Sequence, residues 1–154
     1  MKRIVVALLA TCALLSSAVA SFAQDPTELL RADIRANKTA IVTSAMELDD
    51  TQSEAFWPVY REYEAELIKL NDESLAMIKD YAANYATMTD EAAKDLLKRG
   101  FKVREGRVKL LKKYTGKVEK ALGSKVAARW AQVETALQAA VDLQMASDLP
   151  LMKK

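Results

Sequence analysis

Residues 56–81 read Phe-Trp-Pro-Val-Tyr-Arg-Glu-Tyr-Glu-Ala-Glu-Leu-Ile-Lys-Leu-Asn-Asp-Glu-Ser-Leu-Ala-Met-Ile-Lys-Asp-Tyr. Within them Phe56, Tyr60, Tyr63, Leu67, Leu70, Ser74, Met77 and Tyr81 recur at alternating steps of four and three, the repeat of one face of an α-helix. The helix predicted from this stripe runs from about 50 to about 86, and at 1.5 Å per residue it spans roughly 55 Å. That predicts an elongated molecule. Pro58, about two turns in, removes one backbone hydrogen bond and should bend the helix.

The pattern continues on both sides. Upstream, Asp25 caps Pro26 with Glu28 three residues after the cap, and Leu29, Ile34, Ile41, Val42 and Met46 give a helix over about 26–47. Downstream, Leu97, Phe101, Arg104, Val108, Leu111, Thr115, Val118 and Leu122, flanked by Leu96, Val103, Leu110 and Tyr114, predict a third helix over about 90–121. Gly100, Gly106 and Gly116 inside it mark pliable or closely packed points. Gly123 fits a helix stop and Ser124 the next cap. Val126, Trp130, Val133, Leu137, Ala140 and Met145 give a fourth helix over about 125–147, with Trp130 in the core. No segment reads as a strand, so the expected fold is all-α: four helices with a long, kinked central hairpin.

Charge is divided along the chain. From Asp49 to Glu91 there are 11 acidic and 3 basic residues, and from Lys94 to Arg129 there are 13 basic and 3 acidic. Two neighbouring helices of opposite sign attract when folded side by side. On helix three Arg99, Lys102, Lys109, Lys113, Lys117 and Lys120 share one face, roughly opposite the Leu97/Phe101/Val108/Leu111 stripe. That face reads either as a solvated surface paired with the acidic helix or as a binding surface. Trp57, off the main stripe beside Pro58, is the aromatic expected to be exposed.

The chain has no His among its 154 residues, and so lacks the usual general base and the commonest metal ligand. No paired acid and base, nucleophile or phosphate loop is visible, so no enzymatic activity and no cofactor or metal is expected. Glu62 and Glu66 lie one turn apart, but a di-iron bundle wants Glu-x-x-His on two helices.

Lys2 and Arg3 precede an apolar run from Ile4 to about Leu15 and then small residues, with no acidic residue before Asp25. This is the pattern of a secretory signal peptide, with cleavage after Ala20 or after Ala23 and the latter preferred. The expected organisation is therefore a signal peptide over 1–23 and one helical domain over 24–154, exported to the periplasm, with no stable membrane insertion. The single cysteine, Cys12, falls in the signal, so no disulfide is expected. Export and a mature charge near zero also argue against a nucleic-acid partner.

Two short stretches open the central helices. Leu48-Asp49-Asp50-Thr51-Gln52 is a capping box, and Met88-Thr89-Asp90-Glu91-Ala92 repeats its layout 40 residues later. Both resemble the L-T-x-x-Q motif that occurs twice in the periplasmic Spy/CpxP family. The first copy keeps Leu48 and Gln52 with Asp49 in place of Thr; the second keeps Thr89, with Met88 for Leu and Ala92 for Gln. The resemblance implies a cradle-like homodimer acting as an ATP-independent, holdase-like chaperone for unfolded or misfolded envelope proteins. Alternatively, it implies a regulatory protein bound to the periplasmic domain of an envelope-stress sensor. In either role, Arg99, Lys102, Lys109, Lys113, Lys117 and Trp57 are the expected client contacts.

Overall fold

A computed structural model of the chain describes the backbone of residues 26–152 and the side chains of residues 36–152. The signal peptide with Cys12, both candidate cleavage points and the Asp25 cap lie outside the described residues. Four α-helices follow one another: α1 (Pro26–Met46), α2 (Asp50–Asn84), α3 (Asp90–Leu122) and α4 (Ser124–Asp148), with one 3-10 turn at Tyr85–Thr87. No strand occurs among the described residues. Each predicted helix bound lies within two residues of the observed one, and Asp49, Thr89 and Gly123 mark four of the eight ends. The chain divides into two compact units, 1–34 and 35–154. Only the opening turns of α1 are described in the first, and all side-chain statements below concern the second.

The helix ends are set by local chemistry. Asp49 accepts the Gln52 amide N–H on Oδ1 at 2.8 Å, and the Gln52 side chain accepts the Asp49 N–H at 3.3 Å, a reciprocal cap of α2. Thr89 Oγ1 accepts from the Ala92 N–H at 3.2 Å and opens α3, but Ala92 has no side chain to return the bond. Gly123 stops α3 with φ +87°, a conformation that favours glycine, and it is itself the cap residue of α4. This corrects the cap expected at Ser124. Ser124 is already helical, and its hydroxyl donates to Glu119 at 2.7 Å instead. The end of α1 is closed from another helix: Arg129 Nε donates to the Ala45 carbonyl at 2.6 Å while its Nη2 pairs with Glu47 at 3.1 Å. A cation there complements the negative end of the helix.

The core is aromatic. Phe56, Tyr60 and Tyr63 of α2 surround Trp130 of α4, whose ring meets theirs edge-on at 5.9, 6.5 and 5.1 Å, and Tyr114 of α3 meets Tyr63 at 5.7 Å. Val42 and Met46 bring the end of α1 to the same cluster. The stripe read on α2 is the face used, including Ser74, which is buried. Pro58 is exposed, and α2 continues through it.

On α3 the expected face is corrected over residues 97–108, while Leu111, Val118 and Leu122 pack on the core as expected. Val103, Leu110, Tyr114 and Val118 are buried, whereas Leu97, Phe101 and Val108 are 62%, 58% and 69% exposed. The helix carries two apolar faces, and periodicity alone does not choose between them. Charge does, because the basic row lies roughly opposite the Leu97/Phe101/Val108 stripe. Once that row pairs with the acids of α2, the stripe is turned away from α2.

Candidate functional site

The basic row forms a ladder with α2. Arg99 Nη1 reaches Asp80 at 2.6 Å, Lys102 reaches Glu73 at 3.4 Å, Lys113 reaches Glu66 at 2.7 Å and Lys117 reaches Glu62 at 2.6 Å. Lys109 instead faces Glu105 on its own helix at 4.0 Å. Lys113 and Lys117 also lie over the Tyr114 ring at 4.9 and 4.5 Å. The hydrogen bond from Lys113, and then that from the Tyr114 hydroxyl, hold the Glu66 carboxyl below its ordinary range; Glu66 and Glu62 raise Lys113 and Lys117 in return. Exposed pairs of this kind are screened by solvent and contribute little, so the ladder sets the rotation of α3 more than it sets stability. Four of the five cations expected to meet a client are thus already held by α2 carboxylates. Trp57 is half-buried, edge-on to Phe56 at 5.2 Å and to Tyr60 at 5.3 Å.

The opposite face of α3 is different. Leu97, Phe101 and Val108 stand in solvent, and Lys94, Lys98, Arg104 and Lys112 fall on the same side at helical spacing. These four cations are exposed and make no ion pair among the described residues. This row of large apolar side chains edged by cations stands exposed among the described residues.

Beside this row, the far ends of α2 and α4 and the start of α3 enclose a cleft of about 550 Å³. Met77, Ile78, Leu96, Phe101, Met145 and Leu149 form most of its wall, with Arg104 and Arg107 among its few polar groups. The tail beyond α4 closes one side: the Tyr81 hydroxyl donates to the Pro150 carbonyl at 2.7 Å and the Tyr85 hydroxyl to the Leu151 carbonyl at 3.2 Å. Arg107 is mostly buried, and burial pulls its guanidinium below its ordinary range. Its Nη2 donates to Asn71 at 3.0 Å and its Nη1 lies 3.8 Å from Asp142, while its buried Nε has no hydrogen-bond partner.

A polar cluster missed by the sequence reading sits in the aromatic core. Lys38 of α1 pairs with Glu134 of α4 at 3.0 Å and with Glu64 of α2 at 3.3 Å, over the rings of Tyr63 and Tyr60 at 5.2 and 5.5 Å. Tyr63 donates to Glu134 at 2.9 Å and Tyr60 to Glu64 at 3.1 Å. Burial first, and then the Glu134 charge, push both phenols far above the ordinary tyrosine range. The unfolded chain therefore loses these protons near pH 10 while the folded chain keeps them, and stability falls as pH rises above 10. The slope is up to about 1.4 kcal/mol per pH unit for each such tyrosine. Urea midpoints measured from pH 8 to pH 11 should fall, and Tyr63→Phe should flatten that fall; an unchanged slope would contradict it.

Comparison of the chain with protein-family models, with curated proteins and with solved structures finds no match in any of the three.

Proposed function

We propose that the protein is an exported, periplasmic binding module of the ATP-independent holdase type, related to the Spy/CpxP family and working as a homodimeric cradle for partly unfolded envelope proteins. The observation that carries this reading is the uncovered α3 face, where Leu97, Phe101 and Val108 stand exposed among Lys94, Lys98, Arg104 and Lys112. Apolar groups supply non-directional attraction to any unfolded segment, and free cations add salt-sensitive attraction without fixing a sequence. The capped openings of α2 and α3 and the amino-terminal signal pattern support the same assignment. The ladder cations Arg99, Lys102, Lys113 and Lys117 hold the helices in the rotation that keeps this face outward.

The purified protein, without nucleotide, should suppress aggregation of a chemically unfolded model protein, and less so at about 0.5 M than at about 0.05 M salt. The triple substitution Leu97→Ser/Phe101→Ser/Val108→Ser alters only exposed positions and so should leave helical content intact. It should weaken holding by about a hundredfold, since each of the three apolar side chains covered by a client is worth about 1 kcal/mol. Suppression unchanged by the triple variant would remove this face from the function. No suppression at several-fold excess would favour the regulatory role, a dedicated contact with an envelope-stress sensor.

A further inference from the structure

The cleft at the far end of α2 has the chemistry of a small-molecule site; it shares Leu97, Phe101 and Arg104 with the exposed face of α3, but the holdase reading makes no use of its interior. Its volume of about 550 Å³ falls inside the range of roughly 300–1,000 Å³ typical of ligand pockets. The wall is largely branched aliphatic and thioether, with Met77, Met145 and Met152 supplying adaptable surface. Most of that wall is helix, whose backbone groups already bond one another. A peptide laid there would bury its own N–H and C=O groups without partners, which is costly. A hydrocarbon chain has no such need.

The polar groups are not spread evenly in kind. Arg104 and Arg107, three residues apart and so on one side of α3, both line the cleft. Arg104 makes no ion pair among the described residues; Arg107 has a buried Nε without a partner, donates Nη2 to Asn71 and lies 3.8 Å from Asp142, the one carboxylate on the cleft wall, so the two guanidinium groups leave a net positive charge there. Two guanidinium forks facing one apolar cleft fit a planar anion attached to an apolar chain. The tail, held through the Tyr81 and Tyr85 hydroxyls to the Pro150 and Leu151 carbonyls, forms another part of the wall, and Leu97 and Phe101 on the wall are exposed, so the cleft is open to solvent.

We propose that this cleft binds a single-chain amphiphile with a carboxylate head, a long-chain fatty acid, its alkyl chain against Met77, Leu96 and Met145 and its head at Arg104 and Arg107. The probe is cis-parinarate, a fluorescent eighteen-carbon carboxylate, titrated below its micellar concentration into the purified protein. Saturable one-to-one enhancement is expected. Palmitate should displace it about tenfold better than hexadecan-1-ol, because a carboxylate held by arginine is worth about 1.5 kcal/mol or more over a neutral head.

Gly100 supplies the decisive variant. A Cβ added there meets only Met77, at 3.6 Å from Sδ, which is ordinary contact, and leucine is a far better helix former than glycine. Gly100→Leu should therefore keep or raise helical content while filling the cleft, and weaken parinarate binding about tenfold or more. Leu97 and Phe101 line the cleft as well as the exposed face, so aggregation suppression is measured on the same variant: loss of parinarate binding with holding retained separates the cleft from the client face. Arg104→Gln, at an exposed position, should narrow the preference for acid over alcohol. The proposal is overturned by non-saturable enhancement, by Gly100→Leu binding as well as the parent, or by hexadecan-1-ol competing equally with palmitate. A phosphate-headed single-chain lipid displacing the probe better than palmitate would overturn the carboxylate assignment.

Discussion

Trp130→Ala should lower the free energy of unfolding by about 4 kcal/mol, the middle of the range for removing a buried tryptophan. Trp130 is fully buried, and its ring meets three aromatic rings of α2, making it the main apolar link between α4 and α2. Truncation leaves a void that Phe56, Tyr60 and Tyr63 fill poorly, since each is already in contact with the next. For a chain of this size the loss corresponds to a fall in melting temperature on the order of 12 °C, readable by circular dichroism. Trp130→Phe should be much milder. Its indole Nε1 is buried without a hydrogen-bond partner, so phenylalanine loses volume but also removes an unsatisfied donor. A loss below about 1 kcal/mol for the alanine variant would mean that α4 does not depend on this contact.

Much of this architecture was legible because the residues that set it act locally. Asp49 and Gln52 cap α2 across three residues, and Gly123 stops α3 by its own backbone freedom, so the helix bounds follow from neighbours in sequence. The face of α3 was not legible in the same way. Leu97/Phe101/Val108 and Val103/Leu110/Tyr114 are both helical repeats, and choosing between them requires knowing that Lys113 meets Glu66 and Lys117 meets Glu62, 47 and 55 residues away. The ingredients were present in the opposite charges of the two segments; pairing them would have turned the exposed row outward. The buried Lys38–Glu134 contact left a fainter signal. Lys38 lies four residues before the buried Val42, and Glu134 four residues after the buried Trp130, so each charge sits on the apolar face of its own helix. A charged residue in that position is rarely buried without a partner, and each was a cue to look for the other.

That contact yields the second large effect. Lys38→Met should destabilise the protein by about 3 kcal/mol, because it leaves Glu134, only 4% exposed, with the Tyr63 hydroxyl as its one hydrogen-bonding partner among the described residues. The loss does not measure the worth of the pair, since most of it is the penalty of an uncompensated buried charge. Lys38→Met/Glu134→Gln separates the two: the glutamine carbonyl still accepts from Tyr63, no buried charge is stranded at that position, and the double variant should lie within about 1 kcal/mol of the parent. Glu64 keeps its bond from Tyr60 in both variants and is partly exposed, so it adds little to the difference. Urea denaturation of the four proteins gives a coupling energy expected near 2 kcal/mol, and additive losses would show that Lys38 acts on α1 through its alkyl stem alone. Because Val42, Met46 and the Arg129 bond to Ala45 hold the same end of α1, the single variant should still unfold in one transition. Two transitions would place Lys38 as the group on which docking of that helix end depends.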